Sequence, residues 1–239
     1  MALSLILAAL VVAVVDPWPS QAPPVAANAG RAEALERAID ADPENLRVAA
    51  DYRQLMIAAG TFDRSIDLFE KLVKRKDAGP NVEISLALAY LDKAPPSGDL
   101  RRLSLGRAAI SALTRSIERR PSALAYFVRG WTSLYFNRRP FRRVSSGIAD
   151  LEHARGILPA DYPPAAEVHI FSALGDGYWE DGKRDKAREI WRAGAAKFPN
   201  NRDLQTRAGA TDAEAAQIVK RTLDPSTRVD TSLRELYPD

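Results

Sequence analysis

His169, Asp176 and Glu180 stand seven and four residues apart in the stretch HIFSALGDGYWE, so on a helix all three share one face. A carboxylate pair at that spacing has the elements of a cation site or of an acid and base couple. Here, however, two hard oxygen ligands and one distant imidazole make a thin shell for any metal. The spacing therefore reads as a polar helix face with Trp179 beside it, ahead of a metal or glycosidase-type site. His153 is the other of two histidines, and there is no cysteine, which removes thiolate ligands, cysteine nucleophiles and disulfides. The chain has no Gly-x-x-x-x-Gly-Lys, Gly-x-Gly-x-x-Gly, Gly-x-Ser-x-Gly or His-Glu-x-x-His motif. The expectation is a protein with no catalytic residue, cofactor or metal, and the third-ranked reading is an enzyme using Asp176 and Glu180.

Arginine offers a second kind of chemistry. From Arg101 to Arg143 there are eleven arginines and one acid, Glu118, a net +10; with +3 overall, the remainder of the chain carries −7. Arg101 and Arg102 belong to APPSGDLRRLSLG (94–106), and Arg138, Arg139, Arg142 and Arg143 belong to NRRPFRR (137–143). Guanidinium forks take carboxylates and phosphates bidentately, and such charge asymmetry steers acidic partners. The plainer reading is a general preference for Arg over Lys, 26 against 8 across the chain.

The elements that position these residues follow from a repeat. Pro43, Pro80, Pro121, Pro159 and Pro199 are separated by 37, 41, 38 and 40 residues. Eight residues before four of them stands a large apolar residue: Leu35, Leu113, Leu151 or Trp191. Four residues earlier again, three of these have a small residue, Ala109, Gly147 or Ala187. A small residue facing a bulky one lets two helices pack closely, and proline ends a helix. In the last unit, Leu174-Gly175-x-x-Tyr178, Gly182, Ala187-x-x-x-Trp191 and Pro199 resemble the tetratricopeptide repeat (TPR) signature almost position for position. Gly130, Gly147, Leu151 and Ala154 keep that phase in the third unit, and Ala87, Tyr90, Ala109 and Leu113 in the second. Gly60, Phe69 and Leu72 keep it more weakly in the first, where Ser65 takes the small position.

The resemblance implies an all-α fold, a right-handed superhelical array of antiparallel helix hairpins. Units of this kind bury their apolar faces only by stacking. The expected layout is residues 1–29 as a signal peptide or membrane anchor, 30–200 as about four units with an N-terminal cap helix, and 201–239 as a capping helix and tail. A capping box at Thr211 and Glu214 opens that last helix, which runs to about Leu223. The apolar run LSLILAALVVAVV (3–15) is too short to span a bilayer but suits a secretory h-region, although no basic residue precedes it. Periplasmic or secreted location is expected, with an uncleaved membrane tether as the alternative.

In the TPR family the first helices of the hairpins line the concave groove. By resemblance this puts Phe127, Trp131 and Tyr135 of the third unit, and His169, Asp176, Trp179 and Glu180 of the fourth, in the groove. The six arginines fall in equivalent turns of successive units and are expected to share one edge. The implied function is a non-enzymatic scaffold or adaptor that binds a protein or peptide carrying acidic groups. Envelope assembly, protein maturation and transporter association are the settings considered. An anionic membrane surface is a further partner and nucleic acid is not one. The alternative is a small-molecule or lipid-binding repeat protein, which a deep apolar cavity at Trp131 and Trp179 would favour.

Overall fold

Side chains from the turns set several of the helix starts. Asn45 Oδ1 accepts the Val48 N–H at 3.1 Å, Ser122 Oγ that of Ala125 at 3.2 Å, and Asn201 Oδ1 that of Leu204 at 3.0 Å. Each satisfies an amide that the first helical turn leaves open. Pro80 and Pro164 open their helices where a missing N–H costs nothing. In this computed structural model, which describes residues 25–137 and 143–237, the result is all helix. The helices are α1 (Val25–Ala41), α2 (Leu46–Ala58), α3 (Phe62–Leu72), α4 (Pro80–Lys93), α5 (Asp99–Arg119) and α6 (Ala123–Tyr135). They continue as α7 (Val144–Gly156), α8 (Pro164–Glu180), α9 (Arg184–Lys197), α10 (Arg202–Gly209) and α11 (Asp212–Thr222), followed by one 3-10 turn at Arg234–Leu236.

Consecutive helices pack as hairpins: α2 with α3, α4 with α5, α6 with α7 and α8 with α9. Each hairpin then packs on the next through α3 with α4, α5 with α6 and α7 with α8. The first helices also touch across units on the inner face, α2 on α4 and α6 on α8. This is an α-solenoid. α1 covers the first unit, while α10 and α11 cover the last.

The local steric rules behind the repeat are visible. Gly182 and Gly60 hold φ of +79° and +69° in the turns of the fourth and first hairpins, a conformation that side chains resist. At the α6–α7 crossing, a Cβ on Gly130 would lie 2.8 Å from the Gly147 carbonyl oxygen, so this crossing admits no larger residue. Trp191 is fully buried, its indole occupying the space that a Cβ on Gly175 would need. Truncating such a residue typically costs about 3–5 kcal/mol.

One expectation is corrected. The sequence reading puts Arg101 and Arg102 in a long turn, but α5 begins at Asp99, so both lie on its first turns. The Asp99 carboxylate suits the positive N-terminal end of the helix. Arg102 then folds back to donate to the carbonyls of Ala94, Pro95 and Ser97 at 3.2, 3.3 and 2.6 Å, closing the short loop that remains. The expected signal or anchor segment lies, as far as residue 24, outside the described residues. Among the described residues no helix is long and apolar enough to cross a membrane.

Candidate functional site

The inner face is occupied by the chain's own C-terminal segment. After α11 the backbone turns back across the first helices, and Leu233, Leu236 and Tyr237 are buried there. Much of the grip on this tail is on its backbone. The Tyr135 hydroxyl on α6 donates to the Thr227 carbonyl. Arg53 and Arg47 on α2 donate to the carbonyls of Thr231 and Tyr237 at 2.7 and 2.8 Å. Burial pushes the Tyr135 phenol up to about 12, so it stays protonated and remains a donor.

Beneath the tail lies a buried charge pair. Arg53 on α2 and Asp92 on α4 meet at 2.9 Å with side chains only 1% and 3% exposed. The Thr231 hydroxyl donates to the other Asp92 oxygen. Burial raises the Asp92 carboxyl above its ordinary value, while Arg53 and Thr231 pull it down. Two more pairs tie the tail's flank: Arg234 with Asp51 at 2.7 Å, and His169 with Glu235 at 3.0 Å. Leu233 takes a left-handed backbone with φ of 50°, a strained conformation for a bulky residue.

The residues expected in the groove divide into three sets. Phe127, Trp131, Tyr135 and His169 do come together around the tail: Phe127 meets His169 edge-on at 6.0 Å, and Trp131 stacks on Tyr135 at 5.1 Å. Asp176 and Trp179 are instead structural. Asp176 is fully buried and receives both Nε and Nη2 of Arg207 at 2.8 and 2.9 Å, because α10 folds over α8 at that point. Burial raises its carboxyl, opposed by Arg207. Trp179 stacks on Trp191 at 5.6 Å and is covered by the guanidinium groups of Arg184 and Arg188. Glu180 is exposed at the end of α8, where its carboxylate accepts from Asn137 at 3.4 Å. Asp176 and Glu180 therefore do not act as a pair on one solvated face. Among the described residues, no three His, Asp or Glu side chains converge in a metal-holding arrangement.

Of the six arginines expected on one edge, Arg138, Arg139 and Arg142 lie outside the described residues. Arg101 is exposed, and Arg102 is engaged with its own loop. Arg143 precedes α7, and its backbone N–H donates to Asn137 Oδ1 at 3.0 Å.

Sequence reasoning missed Arg53, Asp92 and Arg207. A signal for the first two existed. They carry opposite charge, lie on successive first helices and stand 39 residues apart, one repeat.

Beside the tail is a cavity of about 330 Å³, walled by α6, α8, α10, the end of α11 and Val229, Asp230 and Leu233 of the tail. Trp131 lines it and Trp179 does not.

No protein-family model matches the sequence, and no curated protein matches it. Comparison with solved structures does find likenesses. TTC0263, a thermophilic TPR protein of Thermus thermophilus, aligns over 81% of this chain and 94% of its own at 20% identity, with a TM-score of 0.57. MamA aligns over 72% of this chain and 89% of its own, also at 20% identity, with a TM-score of 0.50. The fold of this chain is a TPR-like α-solenoid.

Proposed function

We propose that the protein is a non-enzymatic scaffold whose inner face recognises an extended protein segment, with its own tail as the resident occupant. One observation carries this reading. Side chains from α2 and α6 hold the tail by its backbone carbonyls at three separate residues, Thr227, Thr231 and Tyr237. Backbone recognition accepts any extended chain, and specificity is left to the side-chain positions. A partner segment would displace the tail, and the strained backbone at Leu233 favours that exchange. The partner is a protein or peptide segment, and the exposed Arg101 suits acidic groups on it. The apolar run at 3–15 supports export to the periplasm, or tethering at the membrane facing it.

The test is exchange in trans. A labelled synthetic peptide of residues 225–239 is titrated into the full-length chain and into its Leu236→Asp variant, with helicity checked by circular dichroism. The expected result is binding at least about tenfold tighter to the variant, the scale of a 1.4 kcal/mol change. Adding Arg53→Ala to that variant abolishes binding. A helical variant that takes up no peptide would leave the tail as a fixed part of the fold and end the scaffold reading of this face.

A further inference from the structure

The cavity beside the tail has a definite chemistry. Phe127 and Trp131, one turn apart on α6, form an aromatic wall opposite Ala173 of α8, and the tail's Val229 and Leu233 close it. Its volume of about 330 Å³ falls at the lower end of small-molecule pockets, which run from roughly 300 to 1,000 Å³.

The polar end of the cavity is unbalanced in charge. Asp176, Asp203 and Asp230 line it with one guanidinium, Arg207, with His169, which faces Glu235, and with the neutral amide of Asn201. That guanidinium is already engaged, donating to Asp176, to Asp203 and to Thr222. Ser172 donates to Asp203 at 2.8 Å and Thr222 to the Ile218 carbonyl at 3.0 Å, so these hydroxyl donors are also committed. Carboxylates keep spare lone pairs after such bonds: Asp230, exposed at the lip, is engaged at Oδ1 by the Ser232 N–H at 2.8 Å. The cavity therefore presents aromatic surface and more carboxylate than cationic groups, with the Asn201 amide as a neutral donor beside them. An organic anion would meet like charge here, whereas an ammonium brings three donors and no acceptor. Trp is also the aromatic side chain that attracts a cation best.

The geometry points to a binding site for a small aromatic or alkyl amine in its protonated form, its apolar body against Phe127 and Trp131 and its ammonium toward Asp230 and Asp203. The tail forms one wall of the site, so the site exists only with the tail seated and is lost when a partner segment displaces it.

Isothermal titration of the full-length chain with three probes of matched shape tests the assignment: 3-phenylpropylamine, 3-phenyl-1-propanol and 3-phenylpropanoate. The amine is expected to bind saturably and at least about tenfold tighter than the alcohol, with the carboxylate weakest. Asp230→Asn should remove most of the amine's advantage and leave the alcohol unchanged. Ala173→Leu fills the cavity and should abolish binding of both. Val229→Phe fills it from the tail side and serves the same purpose without touching a helix. No saturable heat with the amine, equal or tighter binding of the carboxylate, or amine binding unchanged in a folded filling variant would each overturn the site.

Discussion

Two buried arginine–aspartate pairs serve the inner face of this solenoid, and they differ in what completes them. Arg53–Asp92 joins the first helices of two neighbouring units, and its last partners, the Thr231 hydroxyl and carbonyl, come from the tail. Arg207–Asp176 joins α10 to α8, and its remaining partners, Asp203 and Thr222, come from α10 and α11. Both pairs are withdrawn from water to a similar degree, with exposures of 1% and 3% against 6% and 0%. Burying a charge pair gains little net stability, but removing one partner leaves the other charge stranded. The same chemistry therefore does two jobs. At Arg207 it fixes the array's C-terminal cap, and at Arg53 it ties two neighbouring units to the C-terminal tail.

The largest expected effect tests the first job. Asp176→Ala takes from Arg207 its fully buried, two-pronged partner and leaves it Asp203 and Thr222 alone. Breaking such a pair typically costs about 3–5 kcal/mol, a fall in Tm of roughly 6–20 °C for a chain of this size. Asp176→Leu combined with Arg207→Met, which replaces the pair by apolar side chains, should recover much of that loss. Calorimetry checks both. A single variant that melts like the parent would remove the distinction between the two pairs.

Asp92→Ala should behave differently although the pair removed looks the same. Once the tail lifts, Arg53 faces solvent, so the penalty is limited to the free energy of tail detachment. Thr231→Val probes the same link more gently. Losing the partner of a buried polar group costs about 1–3 kcal/mol, which is roughly a 5- to 150-fold rise in the open population. Hydrogen exchange should quicken across residues 226–237 in both variants, while the amides of α4 and α8 keep their protection. Equal loss of protection in the helices would show that the tail and array are one cooperative unit.

What could be read from the sequence follows the same division. The hairpin phase was legible because it rests on local sterics: the positive φ at Gly182, the close crossing at Gly130 and Gly147, and the space at Gly175 for Trp191. The capping box at Thr211 and Glu214 is likewise a four-residue event. Pro95, Pro96 and Gly98 suggested a longer turn than the one that forms, because Asp99 opens α5 at once. Asp176 read as a solvated carboxylate because its partner, Arg207, lies 31 residues on in a helix outside the repeat pattern. The tail was illegible for a stronger reason. Its contacts reach back 139, 178 and 190 residues to Asp92, Arg53 and Arg47, and no periodicity in a short irregular segment encodes them. The aromatics Phe127, Trp131 and Tyr135 could be placed on the inner face from the repeat, but what they contact there could not.

The smallest predicted effect lies between the two pairs, at the start of α11, the helix that delivers the chain to the tail. The Glu214 carboxylate accepts the Thr211 N–H at 2.8 Å and the Thr211 hydroxyl at 2.7 Å, and these bonds hold its carboxyl below the ordinary value of 4.5. A carboxyl whose folded value is depressed contributes its full stabilisation above the unfolded value, and loses it as pH falls through the folded one. The capping box should therefore be intact at neutral pH and open progressively below about pH 4. Amide protection factors along α11 should fall over that range relative to those of α8. In Glu214→Gln the difference should vary less with pH, since the amide keeps an acceptor but cannot titrate, and the remaining variation is that of Asp212, held low by Arg188 at the same helix start. If α11 and the tail lose protection together in the parent, the cap and the groove occupant are coupled, and acid would release both. If α11 frays alone, the tail is held by the inner face itself, by Arg53, Asp92 and Tyr135, and the contrast between the two pairs is sharpened.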